Sequence, residues 1–243
     1  MKSLTLVKFY LKNTNKVWRW VLLSLMFTQV SAQSYTSELW VLSGIKTELS
    51  KKIDLGLSVN QRYGTQGLET FFPEGMLRFK ASKWFRPSVE YRFIAKKRLD
   101  GSYGTSQRIN LNALFTHTKK RLDVGLRLRY QFGFNRFSYA YDSEFDVAFR
   151  VKPYFTYDVK DFILSPTVST EFFYDPTHSA SGQQIKKIRS YLGTTLDLNS
   201  PHEFSFGYYY DWNVNQWNPT NKHIFMLSYQ YKWKRSTSKK DIH

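Results

Sequence analysis

The sequence predicts an all-β fold, an antiparallel up-and-down transmembrane β-barrel of about 10–12 strands. Three observations predict it: long segments that alternate apolar and polar residues, an N-terminus built like an export signal, and connections that alternate between short and long.

The first residues carry Lys2, Lys8, Lys12, Lys16 and Arg19 without an acid, then the apolar run Val21 to Phe27, then Val30-Ser31-Ala32. A charged region, a short apolar region and a small-residue site make a cleavable signal peptide over residues 1–32. The apolar run is far shorter than the roughly 20 residues a membrane-spanning helix needs. The mean hydropathy of the chain is negative, which excludes a helical membrane protein. A barrel escapes that exclusion, because only every second strand residue meets lipid. Residues 33–234 then form one barrel domain, and residues 235–243 a basic tail.

The chain has no cysteine, so disulfides, thiolate catalysis and a lipidated N-terminal cysteine are excluded. The formal charge of +17 includes the five leader cations and leaves +12 after them. For an exported protein such a charge points to outer-membrane lipid, lipopolysaccharide or small anionic solutes rather than nucleic acid.

Eleven segments alternate with period two. In the clearest, Leu122, Val124, Leu126, Leu128, Tyr130, Phe132 and Phe134 interleave with Asp123, Gly125, Arg127, Arg129, Gln131 and Gly133. The others begin near Leu39, Ile53, Leu77, Phe85, Ile109, Phe145, Phe162, Leu192, Phe204 and Phe225. A soluble barrel alternates too, with its apolar face inside. The polar face here mixes Arg and Lys with Gly56, Gly125, Gly133, Gly193 and Gly207, a composition suited to a crowded lumen in which small residues make room for long ones. Arginine at a bilayer midplane costs about 2–4 kcal/mol, so in a membrane this face turns inward. The expected lumen cations are Arg62, Arg78, Lys80, Arg86, Arg92, Arg127, Arg129, Arg150, Lys152 and Arg189. Glu90 and Glu171 are their expected counter-ions, because buried charges need partners. Aromatic residues near strand ends form the interfacial girdles: Trp84, Tyr157, Trp212 and Trp233, with Tyr63, Phe71, Phe72, Phe134 and Tyr174.

Short connections fall around Ser50-Lys51, Ser82-Lys83, Lys119-Lys120, Lys160-Asp161 and Ser200 to His202, and long ones at Gly64–Glu69, Lys97–Thr105, Asn135–Ser143, Asp175–Gln184 and Asn213–Asn221. This is the turn and loop asymmetry of bacterial barrels. Eleven strands conflict with the even number such barrels have. The expectation is therefore ten, if the segment around Trp40 is not a wall strand, or twelve, if the alternation leaves one strand unmarked.

Several positions resemble the domain-of-unknown-function 2490 family, outer-membrane barrels of Bacteroidetes and other Gram-negative bacteria. They are Trp40 and Gly44, Arg62, Tyr91-Arg92, Arg150, Pro153-Tyr154, Glu171-Phe172-Phe173, Arg189, Gly207 to Tyr210 and His223-Ile224. The resemblance covers the chain after the leader. It implies localisation and fold, and it carries no activity to any residue.

No catalytic constellation stands out. His178-Ser179 lies in a long loop without an acidic partner, Glu90 and Glu171 form an alternative acid and base pair, and no histidines have metal-ligand spacing. Neither a cofactor nor a metal is expected. The functional expectation is a narrow or plugged channel with a basic lumen, folded by the barrel-assembly machinery. A structural or partner-binding barrel and a lipid-active hydrolase are the alternatives.

Overall fold

The structure, a computed structural model, describes residues 34–98, 100–134, 147–178, 182–198 and 200–233. The expected signal peptide over residues 1–32, the expected tail over residues 235–243 and the connection over 135–146 lie outside the described residues. Among the described residues eleven strands follow one another: β1 (Ser34–Ser50), β2 (Ile53–Gly64), β3 (Gly67–Phe79), β4 (Phe85–Lys97), β5 (Tyr103–Lys119), β6 (Leu122–Phe134), β7 (Val147–Tyr157), β8 (Leu164–Asp175), β9 (Gln184–Asp197), β10 (His202–Asn213) and β11 (Thr220–Trp233). Each pairs antiparallel with its neighbours in sequence, and β1 closes the barrel against β11.

The expectation of an even count is overturned. Here β1 is a wall strand, paired with β2 from Leu39↔Tyr63 onward and with β11 over a parallel ladder from Ser34↔Thr220 to Thr47↔Trp233. In an up-and-down barrel with an odd number of strands, the first and last strands run the same way, so closure requires a parallel pair. A consequence is that β1 starts at the end of the barrel where β10 meets β11, while β11 finishes at the opposite end.

The side chains are arranged inside out relative to a soluble protein. Among the buried residues are Glu90, Asn110, Asn112, Arg129, Gln131, Arg150, Glu171 and Asp211. The exposed ones include Leu57, Val89, Leu111, Leu126, Phe155, Leu192, Phe206 and Leu227. Because successive strand residues point to opposite faces, the polar set of each alternating segment faces inward and the apolar set clothes the outside.

Glycines on the inward face make room for rings. Gly125 stands directly opposite Tyr154, and a Cβ at Gly125 would collide with that ring. Gly193 and Gly207 face each other across β9 and β10, and the Tyr191 ring lies over both.

Prolines mark lapses in the ladder, since they donate no hydrogen bond. The β3–β4 pairing skips from Phe71↔Ala95 to Glu74↔Arg92 past Pro73, and β7–β8 from Val151↔Phe172 to Tyr154↔Ser169 past Pro153.

The connections are less asymmetric than expected. Gly64–Glu69 is not a long loop: Thr65-Gln66 is a tight turn, and β3 begins at Gly67. Strand β3 hides its first half from the period-two reading because Phe71 and Phe72 are adjacent and Pro73 and Gly75 follow. The connection at Arg98–Ser102 is also compact, with Arg98 N–H bonded to the Ser102 carbonyl at 2.8 Å. The longer connections on that side of the barrel follow β6, β8 and β10.

Candidate functional site

The inward face places like charges opposite one another, and carboxylates from neighbouring strands resolve the conflict. Arg129 and Arg150 are cross-strand partners on β6 and β7, as are Arg127 and Lys152; like charges in such positions repel. Arg129 turns toward β4, donating from Nη2 to Glu90 Oε1 at 2.7 Å and from Nε to Asn112 Oδ1 at 2.6 Å. Arg150 turns the other way and clamps Glu171 of β8 with Nε and Nη2, both at 2.9 Å. Arg127 Nη2 adds a third bond to Glu171 at 2.7 Å.

The remaining acceptor capacity of Glu90 is met by Asn110 and Asn112, whose amides donate at 3.1 and 3.0 Å. Arg92 bridges Glu90 and Glu74. On the far wall Arg189 forks onto Asp211 at 2.5 and 2.6 Å, and Lys187 Nζ lies 3.7 Å from the same carboxylate. Glu38 accepts from Lys222 Nζ and from Trp40 Nε1, each at 2.7 Å. Bidentate guanidinium pairs of this kind hold both geometry and charge.

Aromatic rings inside the barrel carry further cations on their faces. Trp40 lies between the guanidinium of Arg62, 3.9 Å from its centroid, and that of Arg189, 4.7 Å away. Phe72 sits beneath Arg62 and Arg92, and Phe173 beneath Arg150 at 4.2 Å. Phe72 is thus buried in the interior, which corrects the expectation that it belongs to an interfacial girdle.

These groups surround a cavity of about 340 Å³ inside the barrel, lined among the described residues by eleven cationic and five acidic side chains. Of the cations expected from the sequence, Arg62, Arg92, Arg127, Arg129, Arg150, Lys152 and Arg189 line it, as does Glu171. Glu90 stands behind Arg129 and Arg92. Arg78 and Arg86 lie on strands β3 and β4 toward the opposite end, outside this lining. Lys80 follows the end of β3 and bridges Asp54 at 2.7 Å and Glu48 at 2.6 Å; these hydrogen bonds hold its ammonium above the usual lysine range. Trp84, Tyr157 and Trp233 are exposed at the end where β3 turns into β4, and Trp212 is exposed near the other end.

Sequence reasoning missed Glu38, Glu74, Asn110, Asn112, Arg108, Lys187, Asp211 and Lys222 as members of this interior. Asp211 was findable, because it alternates with Tyr210 and Trp212. Glu74 was masked by Pro73 and Gly75. Trp40, Phe173 and Tyr209 line the cavity as well, aromatic residues on the inward face that composition alone does not single out.

Outside the cavity, His223 Nδ1 lies 2.6 Å from the Tyr208 hydroxyl, among Tyr35 and Tyr210 rings. His178 Nδ1 is 2.7 Å from Gln183 Nε2; Ser179 lies outside the described residues. Among the described residues no group of His, Asp and Glu could hold a metal ion.

No curated protein matches the chain. A solved chain described as "Unveiling the Mechanism Behind the in-meso Crystallization of Membrane Proteins" is similar with a TM-score of 0.37 and 13% identity, over 77% of this chain and 79% of that one. A likeness that loose carries no argument about function. The family model "Protein of unknown function (DUF2490)" matches residues 37–223, from β1 into β11. With that match running through all the interior strands just described, the chain belongs to the DUF2490 family.

Proposed function

We propose that the protein is an exported outer-membrane barrel that works as a narrow, largely plugged channel with a basic, anion-preferring interior. The observation that carries the reading is the inverted burial pattern: charged and amide side chains inside, Leu, Val and Phe outside. A soluble protein pays heavily to keep so much apolar surface in water, whereas lipid accepts it without cost. Outer-membrane lipid and lipopolysaccharide are then its surroundings, residues 1–32 its export signal, and the barrel-assembly machinery its folding partner. The plug consists of the ion pairs around Glu90, Glu171 and Asp211 together with the Tyr154 and Tyr191 rings lying over glycines. Barrels of this size are usually filled by their side chains.

Planar-bilayer recording tests the channel. The wild type should pass a small current with a reversal potential favouring anions. Tyr191→Ala, which removes a ring from the interior, should enlarge the current, and Arg127→Gln should weaken the anion preference. Silence from both the wild type and Tyr191→Ala across many insertions would remove the channel reading.

One observation favours a second reading, a barrel that docks another envelope component. Trp217 is 92% exposed at the tip of a connection fastened to β9: Asn215 Nδ2 donates to the Ile185 carbonyl at 2.9 Å and Gln216 Nε2 to the Lys186 carbonyl at 3.0 Å. Crosslinking from position 217 in cells should then capture a discrete partner, and a lipid-only adduct pattern would count against docking.

A further inference from the structure

Among the described residues the cavity lining carries more cations than acids. Eleven of the described lining residues are cationic and five acidic, and Glu90 reaches Arg129 and Arg92 from behind. Confined charge of one sign is costly unless partnered. Several lining cations take a carboxylate, as Arg129 takes Glu90 and Arg150 takes Glu171; Arg62 and Lys152 take none among the described residues. Arg62 makes no ion pair there; it rests on Trp40 and Phe72, at 3.9 and 5.0 Å. Its nearest acid on the same wall, Glu38, is already engaged by Lys222 and Trp40. Lys152 makes no ion pair there either; its ammonium lies over the face of Tyr191, 5.6 Å away.

Stacking orients a guanidinium so that its N–H edge, rather than its face, is offered to a ligand. Such an edge matches the paired oxygens of phosphate or carboxylate. The volume of about 340 Å³ falls at the low end of ordinary small-ligand pockets. The wall of the barrel separates the cavity from anything on the outer surface, so a soluble anion fits the site and a lipid headgroup does not.

We propose that the cavity is a binding site for one small multivalent oxyanion, a diphosphate or an organic tricarboxylate, held chiefly by Arg62 and Lys152 with the Arg189–Asp211 fork as a fixed wall. This deepens the channel reading by naming the class of solute that the interior holds, and it rests on that reading for its biological sense. The ligand enters as a counter-ion, so multivalent anions bind and chloride does not compete at equal concentration.

Titration calorimetry on the folded barrel in neutral detergent, with inorganic diphosphate in one arm, citrate in a second and chloride in a third, tests the site. One diphosphate or one citrate per barrel is expected, the stronger arm identifying phosphate or carboxylate chemistry. Arg62→Gln with Lys152→Gln should weaken binding at least tenfold, and Lys152→Gln alone should weaken it measurably. Neither substitution breaks an ion pair among the described residues, and heat-modifiable gel mobility checks folding. If the double variant does not fold, the single one decides. No saturable heat from either oxyanion, or binding indifferent to the substitutions, overturns the proposal. Calorimetry does not depend on conduction: a barrel that conducts but does not bind loses the site and keeps the channel, and one that binds in silence does the reverse.

Discussion

At Gly193 a single hydrogen stands where any other residue would meet two obstacles at once. A Cβ there would lie 2.6 Å from the Phe206 carbonyl oxygen and would also enter the Tyr191 ring. The backbone oxygen has nowhere to go, so Gly193→Ala should destabilise the barrel by about 1–3 kcal/mol, the usual cost of overpacking. A lowered urea midpoint for the folded protein in lipid vesicles would show it, and an unchanged midpoint would refute the interlock. Glu171 presents the opposite case, a group whose removal leaves others stranded. It receives three guanidinium bonds, two from Arg150 and one from Arg127. Glu171→Gln should cost about 3–5 kcal/mol, as breaking a buried pair does, and the same unfolding titration measures it. A change below about 0.5 kcal/mol, the range of an ordinary surface substitution, would mean that the network is solvated. Both residues could be assigned to the interior from the alternation, Gly193 beside Leu192 and Glu171 beside Phe172. Their cross-strand neighbours could not, because Gly207 opposite Gly193 and Arg150 beside Glu171 are chosen by register.

Among the elements, β6 was legible to its last residue, Leu122 to Phe134, because nothing interrupts its period. Strand β3 was half lost to adjacent phenylalanines and Pro73. Strand β1 alternates as a wall strand does, against the even-number rule of bacterial barrels. What settles β1 is a ladder that no local pattern encodes, its parallel pairing with β11. The chain lacks cysteine, so an engineered pair reports this contact without background. Val41 and Leu227 are register partners across the seam, and Val41→Cys with Leu227→Cys should form an intramolecular disulfide in the folded barrel. A ten-stranded alternative that closes β2 on β11 keeps β1 away from that position, and no crosslink would form.

Over the whole molecule, the two faces of one sheet solve different problems. The outer face is apolar enough for lipid, and the inner face holds a charge network that lipid would reject. Leu111 is exposed in the middle of the outer wall, flanked by Val89 and Tyr130 as cross-strand partners. Leu111→Arg should therefore cost about 2–4 kcal/mol when the barrel is folded into a bilayer. A barrel living in water would take the same substitution within about 0.5 kcal/mol, so the comparison in vesicles decides between the two settings.

By itself the sequence determined the β class, most of the strand segments, which residues of those segments share a face and the cationic surplus, because period-two alternation and composition are local properties of the chain. Only the tertiary structure decided the odd strand number, the parallel seam, the inward Trp40 and Phe72, and which carboxylate each arginine takes. Those depend on closure and on cross-strand register, which join residues far apart in sequence: Glu38 meets Lys222, and Glu90 meets Arg129. No pattern within either strand specifies such a meeting, since alternation states the face a residue occupies and leaves open what it faces.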